Sequence, residues 1–222
     1  YVGPEYGIAK AINGQYENRE DGRKAFIFKT AAGGTSLRDV DGAIGSTTGD
    51  WGNWYPRSLW EEGYKPNTAT NTPENRATGY LYQLFVENFE KVYTELKDNG
   101  YAPVVKGLAW MQGEQDLPYP TQYEELIKTF IEDIRVDLAK ITGDNTLQSM
   151  PFVIGNIAPT FGVYGNESVP AFNQMQARVA QAMGESVDTI SAEDLVIVNP
   201  DGSKNGTDAY HFNCADAEIL GE

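Results

Sequence analysis

Short apolar runs alternate with longer amphipathic stretches along most of this chain, and that alternation limits what it can fold into more than any other feature. "KAFIFKT" (24–30), "VVKGLAWM" (104–111), "PFVIGNI" (151–157) and "LVIVN" (195–199) read as buried strands. Between them lie helical patterns. In 79–100, Leu81, Leu84, Phe85, Phe89, Val92 and Leu96 recur at three- and four-residue spacing before Gly100. In 121–143, Leu126, Ile127, Phe130, Ile134 and Leu138 share one face before Gly143. A third helix is expected over 169–184 and a shorter one over 4–12, with Pro4 in its first turn. Strands that are apolar throughout and alternate with helices form a mostly parallel sheet covered on both faces, an α/β fold. Ligands of such sheets bind beyond the carboxyl ends of the strands. The polar motifs "AAGGTS", "QGEQD", "APTFG" and "PDGSKNGTDAYH" each follow one of the four runs, so a single rim is expected to gather them.

A length of 222 residues fits a single domain, 1–222. Acids outnumber bases 32 to 17, for a net charge of −15. This excess argues against nucleic acid or an anionic membrane surface as partner, because binding phosphates takes a basic patch. No run reaches the roughly 20 apolar residues of a membrane helix. One cysteine, Cys214, allows no internal disulfide; its place in the helical run after His211 reads as packing. The first residues carry no signal-peptide pattern. The sequence opens without a methionine and stops inside the amphipathic "AEILGE", so it reads as a piece cut at both ends. Residues 39–78, rich in Gly, Asn and Thr, hold Trp51, Trp54 and Trp60 and show no period. About forty such residues exceed the usual connection length of roughly 4–6. With that aromatic content the stretch reads as an ordered insertion near the site. Its tryptophans either stack on sugar faces or pack the insertion.

Three constellations carry possible chemistry. His211 is the only histidine, three residues after Asp208. A carboxylate on one ring nitrogen fixes the tautomer and leaves the other nitrogen as a base, although a bare D-x-x-H is also common on surfaces. Gly33 and Gly34 leave the first apolar run, where a Cβ-free backbone can turn its N–H groups toward an anion; a plain tight turn is the simpler reading. Gln112, Glu114 and Asp116 end the second run, where Gln112 can donate an amide hydrogen bond. Glu114 and Asp116 as paired carboxylates would suit glycoside hydrolysis, but two acids in one loop rarely face each other across a sugar, so support of the loop is expected. Ser36 has no nucleophile elbow around it. One histidine and one cysteine make a poor zinc site, "DVDG" (39–42) lacks the later positions of a calcium loop, and no cofactor is expected.

In order, "VGPEYGIAKAI", "KTAAGGTSL", "LYQLFVENFEKVYTEL", "GLAWMQGEQD" and "GTDAYHFN" resemble the SGNH-hydrolase superfamily. More narrowly they are similar to its carbohydrate acetylesterases, the sialate O-acetylesterases and the family 6 acetyl xylan esterases. The resemblance covers the chain apart from 39–78. It implies a three-layer α/β/α sandwich and hydrolysis of acetyl esters on an oligo- or polysaccharide, with secretion or export to the periplasm as the habit of such enzymes. It also implies His211 as general base, Asp208 as the group orienting it, Gly34 (or Gly33) and Gln112 as oxyanion donors, and Glu114 and Asp116 as supporting acids. The family's nucleophile lies in a "G-Q-S-N" block before "G-P-E", which this sequence does not contain, so the first strand and its serine are expected upstream. A non-catalytic glycan-binding module on the same fold and a glycoside hydrolase using Glu114 and Asp116 are the alternatives. The oligomeric state is open.

Overall fold

The computed structural model describes residues 3–16, 23–39, 52–59, 79–159, 165–195, 197 and 210–222. Among these it is an α/β structure: α1 (Glu5–Tyr16), α2 (Tyr80–Asp98), β1 (Leu108–Trp110), α3 (Pro120–Thr142), β2 (Phe152–Gly155), α4 (Gly165–Met183), β3 (Val187–Ile190) and α5 (Cys214–Gly221). The strands form one sheet in the order β1-β2-β3. β1 and β2 are parallel, with Leu108, Ala109 and Trp110 beside Phe152, Val153 and Ile154. Phe152 N–H donates to Ser186 O and Asn156 N–H to Ile190 O, both at 2.9 Å. Donor and acceptor advance by four residues in the same direction, so β3 is parallel as well. Two compact units divide the chain: residues 1–29, 155–173 and 190–222 in the first, 30–154 and 174–189 in the second.

In the second unit the core is built on α3. Pro120 opens that helix, and Gly143, at φ 74°, closes it with its N–H on Ala139 O. The face expected from the spacing is the buried one: Tyr123, Leu126, Ile127, Phe130, Ile131, Ile134 and Leu138 are at most 6% exposed. Burying each stabilises by about 1.5–3 kcal/mol. Phe130 lies 4.5 Å from the Trp110 ring and 5.7 Å, edge-on, from Tyr82. Arg135, on the same helix, is 6% exposed. Its guanidinium donates to Met150 O at 2.6 Å and to Ser186 O at 3.0 Å, bracing the residues that lead into β2 and β3. Burial lowers its pKa, against a smaller opposing pull from Glu132.

In the first unit α1 packs on α5. A Cβ at Gly7 would collide with the Glu218 carbonyl, and one at Gly221 with the Pro4 carbonyl, so the helices touch through backbone where only glycine fits. Lys10 bridges to Glu218 at 2.7 Å, and Lys29 to Glu5 at 2.6 Å. The side-chain amide of Asn173 clips the Ile157 backbone at 3.0 and 2.8 Å.

Several expectations are corrected. Residues 24–30 carry no regular secondary structure, with Phe26 and Ile27 53% and 42% exposed. The second run narrows to Leu108–Trp110, and Val104 is 63% exposed. β3 was not expected: "VDTI" buries only Val187, so its sequence carries no apolar run. Of 195–199 only Leu195 and Ile197 are described, both buried and outside any strand. On α2 the spacing predicts burial as far as Leu96, yet the buried residues stop at Phe85 and Val92 is 36% exposed. Length explains this. Nineteen helical residues span roughly 28 Å, whereas strands of three or four residues span about 10–14 Å. Helix α4 begins four residues before its expected start.

Candidate active site

Two loop ends of the second unit meet at one buried carboxylate. Beyond β1, Gly113 takes φ 148°, a conformation that side chains rarely adopt, and the chain enters a 3-10 turn, Glu114–Asp116. That kink folds Asp116 back onto Gln112. Asp116 is fully buried and accepts from Gln112 Nε2 at 2.8 Å, Leu37 N at 2.8 Å, Arg38 Nε at 2.9 Å and the Ser36 hydroxyl. A carboxylate has about four lone-pair sites, and all four are engaged. Arg38 is itself buried, with its guanidinium carbon 3.6 Å from the centre of the Tyr119 ring. Its Nη2 reaches Gln115 O at 3.4 Å.

The same bonds shape the glycine turn. Gln112 Nε2 donates also to Thr35 O at 2.9 Å. Thr35 Oγ1 donates to Ala32 O at 2.7 Å and accepts from Trp54 Nε1 at 2.9 Å. Trp54 N–H donates to Ser36 O at 2.9 Å. Thr35 to Arg38 are thus buried and bonded, whereas Gly33 and Gly34 are exposed. Gly34 sits at φ 68°, in the left-handed region that favours glycine. Among the described residues no acceptor takes the N–H of Gly33 or Gly34. Thr35 to Arg38 are thus tied down by hydrogen bonds, while the two exposed glycines before them keep N–H groups without an acceptor among the described residues, a pattern able to donate to a negatively charged atom.

The residues expected at a site are distributed as follows. Gly33, Gly34, Gln112, Glu114 and Asp116 belong to the second unit, and His211 to the first. His211 is exposed, on a bend two residues before Asn213, whose side chain caps α5 by accepting from Asp216 N at 2.9 Å. Asp208, Trp51 and Trp60 lie outside the described residues. Gln112 spends both amide hydrogens, on Thr35 O and Asp116, while its Oε1 is buried without a hydrogen bond among the described residues. Trp54 is 4% exposed, with its ring edge-on to Trp110 at 5.2 Å, so packing rather than an open sugar face describes it. Glu114 is half-buried. Cys214 is exposed at the start of α5 rather than packed. Ser36 is 2% exposed and its proton points at a carboxylate, which is no arrangement for a nucleophile.

Sequence reasoning overlooked Arg38, Thr35 and the anchoring by residues 52–59. Asn53 and Trp54 tie that segment to Leu81 N at 3.0 Å, to Gly79 N at 2.8 Å and to the glycine turn. Ser58 N and Arg57 Nε bind Asp133 at 2.7 Å and Asp137 at 2.8 Å on α3. The one available signal was an arginine and an aspartate, each following a loop expected on the same rim.

A family model described as carbohydrate esterase, sialic acid-specific acetylesterase, matches residues 1–222. The chain belongs to this carbohydrate esterase family. It is a carboxylic ester hydrolase at that level, with "AAGGTSLR" and "WMQGEQD" supplying the interlocked loops described above. No curated protein and no solved structure matches this esterase chain. Among its described residues no group of three or more His, Cys, Asp or Glu is arranged to hold a metal ion.

Proposed function

We propose that this esterase is a serine-type carbohydrate O-acetylesterase that removes acetyl groups from acetylated sugars, with O-acetylated sialic acid or acetyl xylan as substrate. The observation that carries the reading is the glycine turn: two exposed glycines whose N–H groups have no acceptor among the described residues, followed by Thr35 to Arg38, all buried and bonded. Such donors are worth most where negative charge develops in the transition state. A serine hydroxyl attacks the acetyl carbonyl, and His211 accepts its proton while Asp208 steadies the imidazolium. The tetrahedral oxyanion is received by Gly34 N–H, with Gly33 beside it. The imidazolium returns its proton to the departing sugar oxygen, and water then releases acetate by the same path. Gln112 holds the turn through Thr35 O, and it reaches the oxyanion only by giving up one of its two present acceptors. The nucleophile is taken, as the family resemblance implies, from a serine block preceding "G-P-E"; Ser36, bonded to Asp116, is unsuited to that part. Trp51 and Trp60 remain the residues suited to stacking on a sugar face. Asp116, with four donors and no exposure, is not available as an acid or base for glycoside cleavage.

The test is acetate release by the full-length protein from acetylated sialic acid, acetyl xylan and p-nitrophenyl acetate. His211→Ala is expected to lower kcat by roughly 10³-fold or more, as loss of a triad member does. Turnover within tenfold of the parent would defeat the assignment. Reducing sugar without acetate would favour a glycoside hydrolase.

A further inference from the structure

We infer that the buried Arg38–Asp116 pair is a positioning device for the reaction: it sets the direction of the Gly33 and Gly34 amides without touching substrate. This rests on the esterase reading above and adds residues to which that reading gives no part in the chemistry. Three successive residues after the glycines converge on one carboxylate, through the Ser36 hydroxyl, the Leu37 amide and the Arg38 guanidinium. Groups this close in sequence reach the two oxygens of one carboxylate only if the chain curls around it. The turn has therefore folded about an internal anion, on its inner side, and Gly34 at φ 68° is where it reverses. The carboxylate comes from the other loop, so the pair also fixes Gln112 and the glycine turn against each other.

Charge explains why an aspartate and an arginine do this work. A buried carboxylate that lost its cation would be left poorly compensated, so removing one partner costs far more than the pair is worth when intact. Arg38 supplies a planar guanidinium that lies over Tyr119 and donates sideways to Asp116. A lysine keeps the charge but has neither the fork nor the flat face. Asp116→Asn keeps the shape but turns an amide NH₂ toward a strict donor on either oxygen's side, Arg38 Nε on one and Leu37 N with Gln112 Nε2 on the other, so the turn must open on at least one bond.

The experiment uses the full-length protein with p-nitrophenyl acetate, and an arylboronic acid as a tetrahedral mimic that draws on the oxyanion donors. Asp116→Asn is expected to lower kcat about 100-fold, the loss typical when an oxyanion donor is misplaced, with KM within about threefold. Arg38→Lys should lower kcat about tenfold and weaken the boronic acid by a similar factor. A merely structural pair would lower the melting temperature but leave kcat, KM and inhibitor affinity of the folded fraction unchanged, and that result overturns the inference. Should Asp116→Asn fail to fold, Arg38→Lys alone decides by the same readouts. His211→Ala is assayed alongside. If it is inactive while both pair variants remain fully active, only this inference fails. If it retains full activity, the esterase reading fails and this inference with it.

Discussion

Tyr82 and Tyr123 are hydroxyls for which ionisation is costly. Tyr123 is completely buried, donating to Gln112 O at 3.1 Å and accepting from Trp110 Nε1 at 3.3 Å. Tyr82 is 1% exposed and donates to Asp137 at 2.7 Å. Burial raises both pKa values, and the nearby charge of Asp137 adds to the rise at Tyr82. The sign follows from linkage. Above the ordinary tyrosine value of about 10, the unfolded chain sheds protons that the folded chain keeps, so stability falls as pH rises from there. Urea unfolding followed from about pH 9 to 11 is expected to show that loss. Tyr82→Phe should flatten the slope while lowering stability near neutrality, because Asp137 loses a donor. A slope unchanged by the substitution would mean Tyr82 ionises freely in the fold. Gln112 shows what a sequence leaves hidden at this scale. The motif places it correctly at the end of β1, but which acceptors take its two hydrogens depends on Gly113 and on a carboxylate four residues on.

Among the elements, α5 is the one that most needs its cap. At eight residues it falls well short of the roughly 12–15 that hold a helix in isolation. Asn213 caps its amino end, and α1 covers one side through Gly7 and Gly221. Asn213→Ala is expected to cost about 0.5–2 kcal/mol in thermal or urea unfolding, and Asn213→Ser to recover most of it. No loss in Asn213→Ala would show that packing on α1 alone sustains the helix. Helix α3 was legible because it buries a stripe whose period the sequence repeats, from Tyr123 to Leu138. Strands were less so. β3 reads "VDTI", with an aspartate and a threonine between its two apolar ends, and gains its place by pairing with β2. The run at 24–30 has apolar residues and no strand. An apolar run states a preference for burial, whereas a strand also takes a neighbour in register, which lies elsewhere in the chain.

For the whole molecule, Arg135 joins three elements of its unit, tying α3 to the residues that lead into β2 and β3. Arg135→Leu leaves the Met150 carbonyl without its donor, and a drop of roughly 1–3 kcal/mol is expected in urea unfolding. An unchanged midpoint would show that the carbonyl finds another partner. The order of polar motifs along the chain was legible as a family pattern, and it led to Gly34, Gln112 and Asp116. Arg38 was not, because an arginine four residues past the glycine turn has no period and no motif of its own. Only the fold turns it toward a carboxylate 78 residues away.

The docking of α1 on α5 has a consequence for how the chain is made. Lys10 and Glu218 are 208 residues apart, so the first helix leaves the ribosome long before its partner exists. Until then the contact with α5 cannot form, while the long continuous segment 30–154 of the second unit has already been synthesised. Closing so distant a contact is slow. The glycine-mediated helix pair therefore sets later than the contacts within 30–154, and until it does it leaves an opening for a chaperone or a protease.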